Sequence, residues 1–95
     1  MSSESCFKIS QLDNVTILTL LVESVSASNA HWVKEQILNY LAEERPFGLI
    51  INLNNVYYID SLGIGVLISI NSRSKRFDRF ALMGIQPEIE ERIFA

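Results

Sequence analysis

Ile59-Asp60-Ser61-Leu62-Gly63-Ile64-Gly65-Val66-Leu67 joins two runs of different character. Ahead of it lies Gly48-Leu49-Ile50-Ile51-Asn52-Leu53, a continuous apolar run of strand length. From Ser61 onward the apolar residues fall into helical steps, to about Arg76. Asp and Ser are favoured helix N-caps, because their side-chain oxygens accept from first-turn amides that have no partner within the helix. Two glycines in a first turn are costly if only helix propensity counts. They make sense where the backbone must approach something closely or pack tightly on a strand. The segment sets a serine hydroxyl at a helix N-terminus, where free amides and the dipole favour negative charge. The competing reading is a capped strand-to-helix junction and nothing more.

Working outward, a helix precedes the Gly48 strand over about residues 29–44. Ala30, Val33, Ile37 and Leu41 recur at three- and four-residue steps and define its core face. Pro46 ends it, and Arg45 before the proline is expected to be extended. Further back, Cys6 to Ile9 and Val15 to Val22 read as an antiparallel hairpin about an Asp13-Asn14 turn, with Phe7 and Ile9 on one face. Ser24 to Asn29 reads as a polar connector. Beyond the junction, the helix from Ser61 is expected to bury Leu62, Val66, Leu67 and Ile70. Phe80 to Ile85 is the next strand. Pro87 opens a last helix with Glu88, Glu90 and Glu91 in its early turns. The order is β-β-α-β-α-β-α. This predicts an α/β domain over residues 1–95: a four-stranded mixed sheet with helices at about 29–44, 61–76 and 87–94 packed chiefly on one face, and Ile50 and Val66 in the core.

Ninety-five residues suit one domain, and 48% hydrophobic content is enough for a core. A net charge of −3 argues against nucleic acid as a partner. The single cysteine, Cys6, excludes an internal disulfide or a Cys-cluster metal site. The longest apolar run, about Val15 to Val22, is far below the ~20 residues that span a bilayer, so no membrane insertion is expected. Met1 to Ser5 is polar, and a reducing, cytoplasmic compartment fits best. No cofactor is implied. Gly63-Ile64-Gly65 begins a dinucleotide fingerprint, but Ile68 stands where the third glycine belongs. A serine hydrolase needs Gly-x-Ser-x-Gly, and Ile59 occupies the first position. The only histidine, His31, begins another helix, and Asp60 is adjacent to Ser61, poorly placed to orient a base.

The basic run Arg73 to Arg79 suits a helix C-terminus, where cations complement the dipole. Trp32, Tyr57 and Tyr58 read equally as core rim or binding face. What remains is Ser61 at a helix start, beside Asp60 and the exposed-looking Leu62 and Ile64. A phosphoacceptor on a recognition surface fits this better than a catalytic nucleophile.

At Val56-Tyr57-Tyr58-Ile59-Asp60-Ser61-Leu62-Gly63-Ile64-Gly65, after Asn52-Leu53-Asn54-Asn55, the chain resembles a STAS domain, the fold of bacterial anti-sigma factor antagonists. The likeness covers residues 6–94. It implies a non-enzymatic regulator whose Ser61 is phosphorylated by an anti-sigma factor that doubles as a serine kinase, and is dephosphorylated by a phosphatase. The unphosphorylated form would bind the anti-sigma factor and free a sigma factor for transcription. The partner-binding residues would be Asp60, Ser61, Leu62, Gly63, Ile64 and Ser26. The chain departs from the pattern at Ser26, where the family often has aspartate. The family also usually continues with a short strand and helix, where this chain ends at Ala95. Apolar surface near Ile85, Ile89, Ile93 and Phe94 is therefore expected to support a homodimer. The alternative is a STAS subunit of a larger assembly, a lipid-transport ATPase complex or a stress-signalling scaffold, with Ser61 as a structural cap. A weak nucleotide-binding or hydrolysing protein is a third class, with no phosphate loop to support it.

Overall fold

The computed structural model describes residues 5–73 and 79–94. Strand β1 (Phe7–Leu12) turns at Asp13 into β2 (Val15–Leu20). Asp13 takes a left-handed φ of 56°, which the short polar side chain of aspartate tolerates. The two strands pair antiparallel, with Phe7 opposite Leu20 and Ile9 opposite Leu18. After β3 (Ser24–Val25), helix α1 (Ala30–Glu44) leads to β4 (Gly48–Asn52). Then come β5 (Tyr58–Ile59), α2 (Ser61–Arg73), β6 (Arg79–Met83) and α3 (Pro87–Phe94). The main sheet runs β1-β2-β4-β6, with β2, β4 and β6 parallel. This is the mixed four-stranded sheet the sequence predicts.

Register decides which face is buried. Leu18 and Leu20 of β2 and Leu49 and Ile51 of β4 share one face and are buried. Val33, Ile37 and Leu41 of α1 and Val66, Leu67 and Ile70 of α2 join them in one core. The four residues expected on the inner face of α1 are its four buried residues. Along β2 and β4 the alternate residues, Ile17 and Ile50, point to the other face and are half-buried. Met83 of β6, opposite Asn52, remains 43% exposed there. Ile50 is thus not a core residue. Its one-residue offset from Ile51 sends its side chain away from the helices. Phe7 packs edge-on against Tyr40, ring centres 5.6 Å apart, and ties β1 to α1.

Four further expectations are corrected. Arg45 is not extended but left-handed, at φ 48° and ψ 60°. Its amide donates to the Leu41 carbonyl at 3.0 Å, so it acts as the helix C-cap and still leaves the right-handed region before Pro46. The Ser24–Asn29 connector contains a strand: β3 pairs parallel with β5 in a separate two-stranded sheet. Strands this short carry no readable periodicity. The surface expected around α3 is partly covered: Ile89 is fully buried, and Ile85 and Ile93 pack against the core. Ile85 and Ile93 remain half-buried and the Phe94 side chain lies outside the described residues, so the apolar patch on which a homodimer was expected is reduced by Ile89 alone. Fourth, Leu62 is not buried; its place facing the sheet is taken by Gly63. The basic run falls on residues 74–78 in its larger part, outside the described residues.

Candidate functional site

The short β3/β5 pair places the loop before α1 against the start of α2. Val25 lies beside Ile59, and the Asp60 amide donates to the Val25 carbonyl at 3.3 Å. Asp60 is the N-cap of α2. Its carbonyl accepts from Ile64 N–H at 2.9 Å, and its Oδ1 accepts from Gly63 N–H at 2.9 Å. Its Oδ2 accepts from the Ala27 amide at 3.0 Å. One carboxylate therefore clasps the helix and a loop 33 residues earlier. The Gly63 amide first, and the Ala27 amide with it, favour the charged carboxylate and hold its pKa below the ordinary aspartate value.

Gly63 explains itself at this contact. A Cβ there would collide with the Val25 carbonyl oxygen and stand 2.5 Å from Ile59 Cγ1. The helix can seat on β3 only because that position has no side chain. On the other side of the clasp, Asn29 locks the loop. Its Nδ2 donates to the Ser24 carbonyl at 2.8 Å, and its Oδ1 accepts from the Ser26 amide at 2.9 Å. The Ser26 and Ser28 hydroxyls lie 3.3 Å apart. Behind Asp60, the Tyr57 amide donates to the Glu23 carbonyl at 2.8 Å. Arg92 of α3 lies over the Tyr58 ring, 5.4 Å from its centre.

Ser61 occupies the first helical position and is exposed. Its hydroxyl has no hydrogen-bond partner among the described residues. The helix cap is therefore Asp60 and not Ser61, which corrects the reading of Ser61 as a cap. Leu62 projects beside it, 57% exposed. Ile64 does not stand out as expected; it is half-buried and packs on the core. The fold thus gathers Asp60, Ser61, Leu62, Gly63 and the Ser26 loop at one place. Among the described residues, no cluster of His, Cys, Asp or Glu could hold a metal ion.

Sequence reasoning missed the neighbouring groove. Between α1 and α2 lies an open depression of ≈ 360 Å³, whose lining includes Ala30, His31, Lys34, Leu62, Gly65 and Val66. An added Cβ at Gly65 would meet no atom within 4 Å. The available signal was this second glycine, which no strand contact requires.

The family model for the STAS domain matches residues 7–95. Among curated proteins, no sequence matches the chain significantly. A putative anti-sigma factor antagonist from Thermotoga maritima has a similar structure, with TM-score 0.78 and 24% identity, over 92% of this chain and 74% of that one. RsbS of Moorella thermoacetica gives 0.70 and 23%, over 94% and 75%. A murine solute carrier anion transporter gives 0.73 and 17%, over 88% of this chain and 14% of the transporter's. These likenesses are to the fold. No helix among the described residues is long and apolar enough to cross a membrane. With the family model spanning nearly the whole chain, and with the Asp-Ser-x-Gly-x-Gly turn seated on β3 as the fold requires, the chain belongs to the STAS domain family.

Proposed function

We propose that this protein is an anti-sigma factor antagonist, a non-enzymatic, cytoplasmic regulator of transcription whose switch is phosphorylation of Ser61. The observation that carries the reading is the free hydroxyl of Ser61. Asp60 has taken the capping role, so the serine oxygen is exposed and uncommitted at a helix start. A partner kinase would join that oxygen to the terminal phosphorus of its nucleotide, expelling the nucleoside diphosphate and accepting the hydroxyl proton. A phosphatase would restore the hydroxyl by hydrolysis. The phosphate would bring about −1.5 to −2 charges to the positive end of the α2 dipole, which tolerates them. The fold would survive while the docking surface around Leu62 and the Ser26 loop changes sign. The test is incubation with candidate anti-sigma kinases and ATP, followed by mass spectrometry of the Ser61 peptide. Phosphate on Ser61, and none on Ser61→Ala, supports the reading; phosphate absent or elsewhere refutes it.

A second reading is a subunit of a larger assembly. It is favoured by the occurrence of this fold as 14% of a transporter chain. In that setting Ser61 would stay unmodified and the Asp60-capped turn would serve only to seat α2 on β3.

A further inference from the structure

Gly65 is an unexplained expense. A glycine inside a helix is less favourable than alanine, and here an alanine methyl would touch nothing. What the glycine does is leave the groove between α1 and α2 without a side chain at this point of its lining. Ala30, Leu62 and Val66 make its walls apolar. Among the described residues, its titratable linings are His31 and Lys34, in a chain whose net charge is −3. Lys34 is half-buried and has no carboxylate partner among the described residues. The groove also continues the Ser61 surface. Leu62 follows the serine directly and lines the groove, as does Ala27, whose amide the Asp60 carboxylate holds.

We infer that this groove is a docking slot for an acidic, apolar segment of the partner protein, with an aliphatic side chain seated over Gly65 and a carboxylate reaching Lys34. The inference rests on the partner-switching reading and adds the chemistry of the partner. The aliphatic group fills the space the glycine leaves, where close packing makes it count. The carboxylate supplies selectivity, since a basic segment would meet an uncompensated ammonium.

The probe is a displayed library of random dodecapeptides, selected on the wild-type protein and counter-selected on Gly65→Leu, which fills the slot. The expected winners pair Asp or Glu with Leu, Ile or Met. A winning peptide, synthesised and measured by calorimetry, should bind about tenfold more weakly to Lys34→Glu and to Gly65→Ala. Gly65→Ala should melt at or above the wild-type temperature, so its loss of binding is not unfolding. The inference is overturned by winners that are basic or purely apolar, by an empty selection, or by a peptide that binds Gly65→Ala as well as wild type. It is equally overturned if inorganic phosphate or phosphatidylglycerol vesicles shift the Gly65 and Ser69 amide resonances in wild type but not in Lys34→Glu. That result would assign the slot to an anion or a lipid surface. No kinase takes part, so this outcome is separate from whether Ser61 is phosphorylated.

Discussion

Gly63→Ala and Gly65→Ala make the same chemical change two residues apart and should move stability in opposite directions. At Gly63 the new methyl runs into the Val25 carbonyl oxygen and lies 2.5 Å from Ile59 Cγ1. Carbon atoms pack at about 3.5–4.0 Å, so the start of α2 must retreat by roughly 1 Å or more. The obstruction is backbone, which no rotamer change relieves. Overpacking of this kind costs about 1–3 kcal/mol, and the upper end applies here. The retreat also strains the bond from the Asp60 amide to Val25, a loss of about 1 kcal/mol. Better helix propensity returns at most about 1 kcal/mol. The net loss is about 2–3 kcal/mol, or a fall in Tm of about 10–20 °C for a domain of this size. Gly65→Ala meets nothing and should gain about 0.5–1 kcal/mol. Urea denaturation followed by far-ultraviolet circular dichroism reads both. Equal midpoints for the two variants, or a Gly63→Ala midpoint matching wild type, would refute the seating of α2 on β3.

Ile51→Ala should cost about 2–5 kcal/mol by the same assay, and its neighbour Ile50→Ala clearly less, about 1–2, because only Ile51 faces the helices. Arg45→Gly should raise stability by up to about 1 kcal/mol, since the left-handed cap suits glycine; a lower melting temperature would contradict the Arg45 geometry. The Asp60 carboxyl is held below its ordinary value in the fold, so its contribution is present above the unfolded value, about 3.9, and is lost as pH falls through the lower folded value. Comparing wild type with Asp60→Asn across an acid titration should show their stability difference constant at neutral pH and shrinking only below about pH 4. Ser61→Asp should melt within a few degrees of wild type yet, by calorimetry, lose about a hundredfold in affinity for the anti-sigma factor proposed as its partner. Tight binding by a folded Ser61→Asp would sink the charge switch.

Periodicity made much of this molecule legible. Ala30, Val33, Ile37 and Leu41 mark the inner face of α1 because helical spacing repeats over about three turns, enough to average out exceptions. The hairpin and parallel strands were readable from β-branched runs and turn residues. Ile50 was misplaced because an apolar run has no alternation to mark its faces. Leu62 was misplaced because the α2 start is apolar nearly all round, and only the contact at Gly63 fixes its rotation. At the site, Asp-Ser announced a capped helix, but the choice of capping residue depends on one hydrogen bond, from Gly63 to Asp60. The partner loop was illegible for a simpler reason: β3 and β5 have two residues each, and their pairing exists only in three dimensions.

The clasp from Asp60 to the Ala27 amide has company. Asn52 Nδ2 donates to Thr19 Oγ1 at 3.3 Å, again across 33 residues, and Asn55 Nδ2 donates to the Leu20 carbonyl across 35. Each bond closes over the whole of α1 and at least most of β4. Around the serine, then, the surface is not written in any contiguous segment. A short synthetic peptide bearing Ser61 keeps every local residue and loses the loop, the groove and the cap's second anchor. A kinase that reads this surface should ignore such a peptide, and on the ribosome the serine would become a substrate only after the crossover behind it has closed.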